Sequence, residues 1–310
     1  MRFARVRSGL AESFDEVAAI AVDENGKILF SSGAVNQPIF YRSAIKPFQA
    51  IAAARTGLSL PQEHVAVTCA SHSGYPVHLA IVDQILMDHG LTTQDLLTTP
   101  GRPLSHEADM LQVTRGHLRP EPRFHNCSGK HAGWLAACTV AGWDSTNYLD
   151  PHHPLQVSIL EVMAEYSGAD ARPVGVDGCG APTLRGSIIT LARAFSRLSV
   201  CDDAASVATA MMSYGALLSD NLSGDGRVGI TWAGVQKRGA EGSFAMSRHG
   251  VAIATKSESG TDDTALAAAL VVADKLGLLP GGMPDVLADQ ISPPVMGADS
   301  RVGRTVVVDR

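Results

Sequence analysis

Strand-like runs stand at both ends of this chain with helix-like segments between them, and that distribution is the strongest restriction on how it can fold. Near the start, apolar runs between Glu16 and Gly33 flank Asp23-Glu24-Asn25-Gly26. Asn-Gly between two such runs is a strong short-range hairpin signal, because both residues tolerate the positive φ angles that a tight turn needs. Near the end, Val228 to Gln236, Ser243 to Ser247 and Val251 to Lys256 read as strands, the last two joined at His249-Gly250, and Thr305 to Asp309 reads as a terminal strand. Between them the helical segments are Pro47 to Arg55, Val77 to Leu91, Trp134 to Ala141, His153 to Tyr166, Leu184 to Leu198 and Asp203 to Leu218. Asp220 to Gly226 reads as a polar, glycine-rich loop, and an alanine-rich helix follows from Asp262 to Leu278. This order predicts an α/β (α+β) fold, an antiparallel sheet formed by N- and C-terminal strands with flanking helices. A single domain over residues 1–310 is expected, with a helical lobe at roughly 60–220 inserted between the terminal strands.

Composition narrows the function classes. Hydrophobic residues make up 45% of the 310 and charged residues 18%, with no apolar run long enough to span a bilayer, so a globular fold outside the membrane is expected. A net charge of -6 offers no basic footprint for nucleic acid. Met1 to Phe14 lacks the apolar run of a signal peptide, and five cysteines, an odd number thinly spread, do not form a disulfide framework. A cytoplasmic location is the expectation.

The chemistry gathers in a few short blocks. In Tyr41-Arg42-Ser43-Ala44-Ile45-Lys46-Pro47-Phe48, Pro47 suits a first helical turn, so the helix starts near Ser43 and places Ser43 and Lys46 three residues apart on one face. A serine is a poor nucleophile until a base takes its proton, and a lysine can do so when burial or a neighbouring cation such as Arg42 depresses its pKa. An N-cap serine beside a solvated lysine would leave the same tetrapeptide. Ser71-His72-Ser73-Gly74 concentrates polar groups in a tight turn, and His125-Asn126-Cys127-Ser128-Gly129-Lys130-His131 packs two histidines, an amide, a thiol and a lysine ahead of an apolar helix. Three glycines surround Asp177 and Cys179 in Gly175-Val176-Asp177-Gly178-Cys179-Gly180, which suits a backbone that bends tightly or approaches a ligand. Cys127, Lys130 and Cys179 are candidate metal ligands, with His125 and His131 available to complete a shell. Lys237, two residues before Gly239, is a second lysine placed to assist proton transfer.

Taken together, Tyr41 to Phe48, Cys69 to Gly74, His125 to Gly133, Val176 to Thr183 and Gly239 to Gly242, in that order, resemble the rhizobial-type, class 3 (asparaginase II family) L-asparaginases over nearly the whole chain. The resemblance implies a fold like that of serine β-lactamases and serine-dependent glutaminases. It also implies hydrolysis of L-asparagine to aspartate and ammonia by Ser-Lys covalent catalysis, with Ser43, Lys46, Ser71 and Lys237 as catalytic residues. Either serine could be the nucleophile, and Lys256 is the alternative to Lys237. Arg42, His72, His131, Asp177 and Glu241 would bind substrate, and Cys127, Lys130 and Cys179 would hold a Zn2+ that does not activate water. A small amino acid as partner and a homodimer are further expectations. The family has a longer stretch between the Cys179 and Lys237 blocks, so the pocket wall there is expected to differ. Another Ser-Lys amidase, such as a glutaminase, and a non-catalytic amino-acid binder are the alternative readings.

Overall fold

The computed structural model describes residues 1–219, 224–279 and 285–309. Its strands are β1 (Arg2–Arg7), β2 (Leu10–Val22), β3 (Ile28–Ser32), β4 (Ile39–Phe40), β5 (Pro173–Val176), β6 (Pro182–Gly186), β7 (Val235–Gly239), β8 (Ser243–Arg248), β9 (Val251–Ser257), β10 (Pro294–Gly297) and β11 (Ser300–Asp309). Eight of them form one sheet in the order β10-β11-β1-β2-β9-β8-β7, with β3 also on β2, and every pairing is antiparallel. Both termini therefore meet in the sheet, Arg2 opposite Asp309. A smaller sheet of β4, β6 and β5 stands beside it.

The helices are α1 (Lys46–Ala54), α2 (Gln62–Cys69), α3 (Pro76–Asp88), α4 (His106–Thr114), α5 (Ser128–Ala141), α6 (Pro154–Ser167), α7 (Ile188–Leu198), α8 (Ala205–Ser213), α9 (Gly224–Thr231), α10 (Asp262–Lys275) and α11 (Asp285–Ile291). Period-two alternation in the sheet decides which of them it meets. Ile20 and Val22 of β2, with Ala252 and Ala254 of β9, pack toward α7; Val17, Ala19 and Ala21, with Phe244, Met246 and Ile253, pack toward α10. The first of these cores runs on through α1, α2, α5 and α6, so the α7 face of the sheet is continuous with the helical part of the chain. No helix among the described residues is long and apolar enough to cross a membrane.

Four expectations need correction, the helix expected from Leu184 among them: Leu184 lies in β6 and α7 begins only at Ile188. Val228 to Gln236 is not one strand, because α9 runs to Thr231 and β7 begins only at Val235. Val228 and Trp232 are four apart and fully buried on the α10 side, a helical spacing hidden inside a β-like composition. The loop expected at Asp220–Gly226 falls partly on residues 220–223, outside the described residues, and from Gly224 onward it is helix. The helix expected from Trp134 starts at Ser128, so the His-Asn-Cys block is its entry and first turn. Gly129 and Gly133 allow that turn to lie against α2, since a Cβ on either would stand 2.5 Å from Val67 O and 2.7 Å from Thr68 Cγ2 respectively.

Candidate active site

The site is assembled where β4, α2 and β7 meet. Leaving β4, the chain turns at Arg42, whose φ of +52° is a strained value for a side-chain-bearing residue, into a single 3-10 turn, Arg42–Ile45. Lys46 then opens α1, with Pro47 in the first turn, where its missing N–H costs nothing. Lys46 is buried, and its amine reaches the Ala70 carbonyl at the end of α2 and Ser71 Oγ at 3.1 Å. The Lys46 backbone N–H donates to Ser43 O, but no bond between the two side chains is found among the described residues; the Lys46 amine is taken up by the α2 terminus instead. Ser71 lies in extended chain after α2, its N–H bonded to Leu218 O.

The second lysine arrives from the sheet. Lys237 of β7, also buried, donates to Ser71 Oγ at 3.2 Å and to Arg238 O at 2.8 Å. Of the two alternatives, Lys237 therefore meets Ser71, whereas the Lys256 amine donates to Ser257 O. β7 can lie this close to the Ser43 turn because Gly239 carries no side chain: a Cβ there would sit 2.6 Å from Tyr41 O. Burial lowers the pKa of Lys46, and the Lys130 cation adds to the effect while Cys127 and Cys179 oppose it. A shift in that direction moves a buried lysine toward the neutral amine that a general base requires.

The expected substrate-binding residues separate into two groups. Arg42 Nε and Nη2 both reach Asp177 Oδ1, at 2.9 and 2.8 Å, and Gly178 N–H donates to the same oxygen. Arg42 and Glu241 line a cleft of about 440 Å³. The histidines instead belong to the wall. His72 Nε2 is 2.9 Å from Ser128 Oγ, and His131 Nδ1 is 2.8 Å from the Tyr148 hydroxyl. Burial holds both rings well below the usual histidine pKa, so they are neutral. His131 Nε2 is buried with no hydrogen-bond partner among the described residues.

Cys127, Lys130 and Cys179 converge as expected. The Lys130 amine is 3.3 Å from Cys179 Sγ, and Cys127 and Cys179 lie close enough for each to shift the other's pKa. Hydrogen bonding from Cys179 holds Cys127 well below the usual thiol range; the same bond, with burial, pushes Cys179 up. For Lys130, burial pulls the pKa down, but Cys179, Cys127 and Asp177 together outweigh it and raise it. Two soft sulfur donors with an amine beside them are a donor set that fits a zinc ion, which would displace protons from Cys179 and Lys130. Among the described residues no group of three or more His, Cys, Asp or Glu side chains fits a metal, so the lysine is indispensable to such a site.

Residues outside the expected set hold these groups in place. Tyr41 is fully buried and its hydroxyl meets Thr190 Oγ1 at 2.6 Å, anchoring the Ser43 turn to α7. Its place immediately before Arg42 was the available signal; Thr190, 149 residues away, had none. The Leu218 carbonyl, which fixes Ser71, is a backbone group that sequence does not mark.

Comparison with known proteins follows from this geometry. Residues 4–307 match the family described as L-asparaginase II. No curated protein matches the chain. Among solved structures it is similar to Mglu at 15% identity and TM-score 0.48, covering 85% of this chain and 67% of that one. It is also similar to Mglu in its tris and glutamate form at 16% identity and TM-score 0.46, covering 89% of this chain and 62% of that one. The chain thus spans about two thirds of the length of these structures. A β-lactamase from Mycobacterium bovis is similar at 16% identity and TM-score 0.43, covering 84% of this chain and 94% of that one.

Proposed function

The chain belongs to the L-asparaginase II family, which makes it an amidohydrolase, and on that premise we propose that it converts L-asparagine to aspartate and ammonia by Ser-Lys covalent catalysis. The observation that carries this reading is the Ser71 hydroxyl bridging two buried lysine amines, Lys46 and Lys237. Burying two lysine amines on one hydroxyl carries a desolvation cost, which supports a functional reason for the arrangement.

In this reading Ser43, half-buried next to Arg42, attacks the amide carbonyl carbon while Lys46 takes its proton. The N–H of Ser43, in the first turn of its helix, has no intrahelical partner and stabilises the oxyanion. As the C–N bond breaks, a proton passes through Ser71 between Lys46 and Lys237 to the leaving nitrogen, which departs as ammonia. Water then attacks the acyl-enzyme, giving its proton to Lys46, which passes it to the Ser43 oxygen as the ester C–O bond breaks and aspartate leaves. A second reading makes Ser71 the nucleophile, favoured by its direct bond to Lys46.

Cys127, Lys130 and Cys179 would hold zinc. When bound it would tie the start of α5 to the Asp177–Gly180 turn and add positive charge near the substrate. Cys127→Ser protein, purified without chelator, is expected to carry less than about a tenth of the wild-type zinc by elemental analysis, since one ligand of three is lost. Equal zinc in both proteins would remove the assignment. The reaction itself is tested by ammonia release from L-asparagine and L-glutamine. Release from asparagine in preference supports the reading; release from glutamine alone points to the glutaminase-like alternative, and binding of asparagine without release to a non-catalytic binder.

A further inference from the structure

Alternation along β7 sends two neighbouring residues into different layers of the molecule. Lys237 lies opposite Ala245 and Arg238 opposite Phe244, and directly opposed residues share a face of the sheet. Ala245 belongs to the core that continues into the helical part of the chain, Phe244 to the core under α10. The Lys237 amine therefore works on the α7 side of the sheet, where it meets Ser71, while the Arg238 side chain is sent to the α10 side. The two layers are linked through one peptide group, because the Lys237 amine also donates to the Arg238 carbonyl at 2.8 Å. The placement of that carbonyl bears directly on where the amine points.

On the α10 side, Asp262 holds this end of the hairpin. Standing in the first turn of α10, its carboxylate accepts from Arg238 Nη1 at Oδ2, 3.2 Å away, and from the Gly242 N–H at Oδ1, 3.1 Å away. One side chain thus grips the β7–β8 hairpin on both sides of its tip. The tip is strained and tightly seated. Glu241 carries a side chain at φ +61°, and a Cβ on Gly242 would stand 2.8 Å from Ser257 Cβ and 2.9 Å from the Gly260 carbonyl carbon. The Ser257 N–H donates to Gly242 O and completes the seat. With side chains 30% and 37% exposed, the Arg238–Asp262 pair adds little to stability as an ion pair. Its contribution is geometric, since the hairpin end it fixes also carries Gly239, which abuts Tyr41 O and Ala44 N at the Ser43 turn.

We propose that Asp262 is a positioning residue for the reaction: by holding Arg238 and Gly242 from the α10 layer, it sets the Arg238 carbonyl that aims the Lys237 amine at Ser71. The inference rests on the amide-hydrolysis reading above, in which Lys237 takes part in carrying a proton to the leaving nitrogen. It gives a function to the Arg238–Asp262 pair, which lies on the far side of the sheet from Ser71.

The test compares Asp262→Ala with Asp262→Asn. The asparagine amide keeps an oxygen that can accept from Gly242 N–H and Arg238, whereas alanine has none. Asp262→Ala is expected to lower kcat for ammonia release about 10- to 100-fold with KM within about 2-fold, the pattern of a reacting group moved by a fraction of an ångström to about 1 Å. Asp262→Asn should return to within about 5-fold of wild type, because the geometry is kept and only the charge is lost. An unchanged kcat in Asp262→Ala, a loss carried by KM, or equal losses in both variants would overturn the assignment. Magnetic resonance of protein labelled at the lysine side-chain nitrogens supplies a readout that needs no turnover, the Lys237 signal being the one absent from Lys237→Met. That signal should move in Asp262→Ala and keep its wild-type position in Asp262→Asn. If Asp262→Ala does not fold, Arg238→Met, which releases the guanidinium alone, is expected to move the same signal. If wild type releases ammonia from no amide, the proposed reaction fails by itself, and the Lys237 signal then decides the positioning role: a shift in Asp262→Ala alone supports it, and no shift, or equal shifts in both variants, overturns it.

Discussion

Ser43→Ala is expected to lower kcat for ammonia release from L-asparagine by about 10³- to 10⁶-fold, the range for removal of a covalent nucleophile. Ser71→Ala, removing a proton relay, should cost less, about 10²- to 10⁴-fold. The contrast is built into the structure. Ser43 is half-buried and its side chain makes no bond to the Lys46 amine, so a substrate can reach it, whereas Ser71 is buried and already bonded to Lys46 and Lys237. Mass spectrometry of rapidly quenched protein adds an independent readout, since the aspartyl ester should form on the peptide containing Ser43. An adduct on the Ser71 peptide, with Ser43→Ala retaining activity within a few-fold, would transfer the nucleophile to Ser71. Because Lys46 meets Ser71 whichever serine attacks, loss of activity in Lys46→Met alone would not separate the two.

Gly186→Ala should be the most damaging single methyl group in the molecule's functional half. A Cβ at Gly186 would stand 1.7 Å from the Tyr41 hydroxyl oxygen and 2.2 Å from its Cζ. Tyr41 cannot retreat easily, because it is fully buried and bonded to Thr190. Overpacking at such a site costs about 1–3 kcal/mol, and loss of the hydroxyl bond about 1 more, so a destabilisation of about 2–4 kcal/mol in urea unfolding is expected. Activity should fall as well, since the Tyr41 carbonyl accepts from Ala44 N–H and Ser243 Oγ and its residue leads directly into Arg42 and Ser43. Combining Gly186→Ala with Tyr41→Leu should destabilise by less than the sum of the two changes, because the second removes the atoms the first collides with. Strict additivity, or an unchanged unfolding curve for Gly186→Ala, would show that the two residues do not abut.

Much of the architecture was legible because it rests on short-range pattern. The Asn25-Gly26 hairpin, the strands around His249-Gly250 and the alanine-rich α10 all announce themselves by turn chemistry or periodicity. β1 was missed because its arginines at 2, 5 and 7 leave little apolar signal, and β11 and β2 supply its hydrogen bonds from either side. α9 was misread because Gly-Ile-Thr-Trp has β-like composition, while burial of Val228 and Trp232 on one side selects helix. Propensity was overruled there by tertiary packing.

The residues that gather at the site were marked by their local blocks: a serine and a lysine at a helix start, a polar turn at Ser71, two thiols and a lysine in motifs of recognisable spacing. Sequence by itself thus determined which reactive groups the chain carries and, through the strands at both ends, the kind of sheet that holds them. Which groups meet was decided only in three dimensions. Lys46 meets Ser71 across 25 residues and Lys237 meets it across 166, while Arg42 pairs with Asp177 across 135. Lys256 is turned instead toward a cleft that no local pattern reveals. The reason is physical: residue type and periodicity act over a helical turn or a hairpin, but the direction of a buried amine follows from strand register, the angle at which α1 and α2 pack, and the hydrogen-bonding partner that burial leaves within reach.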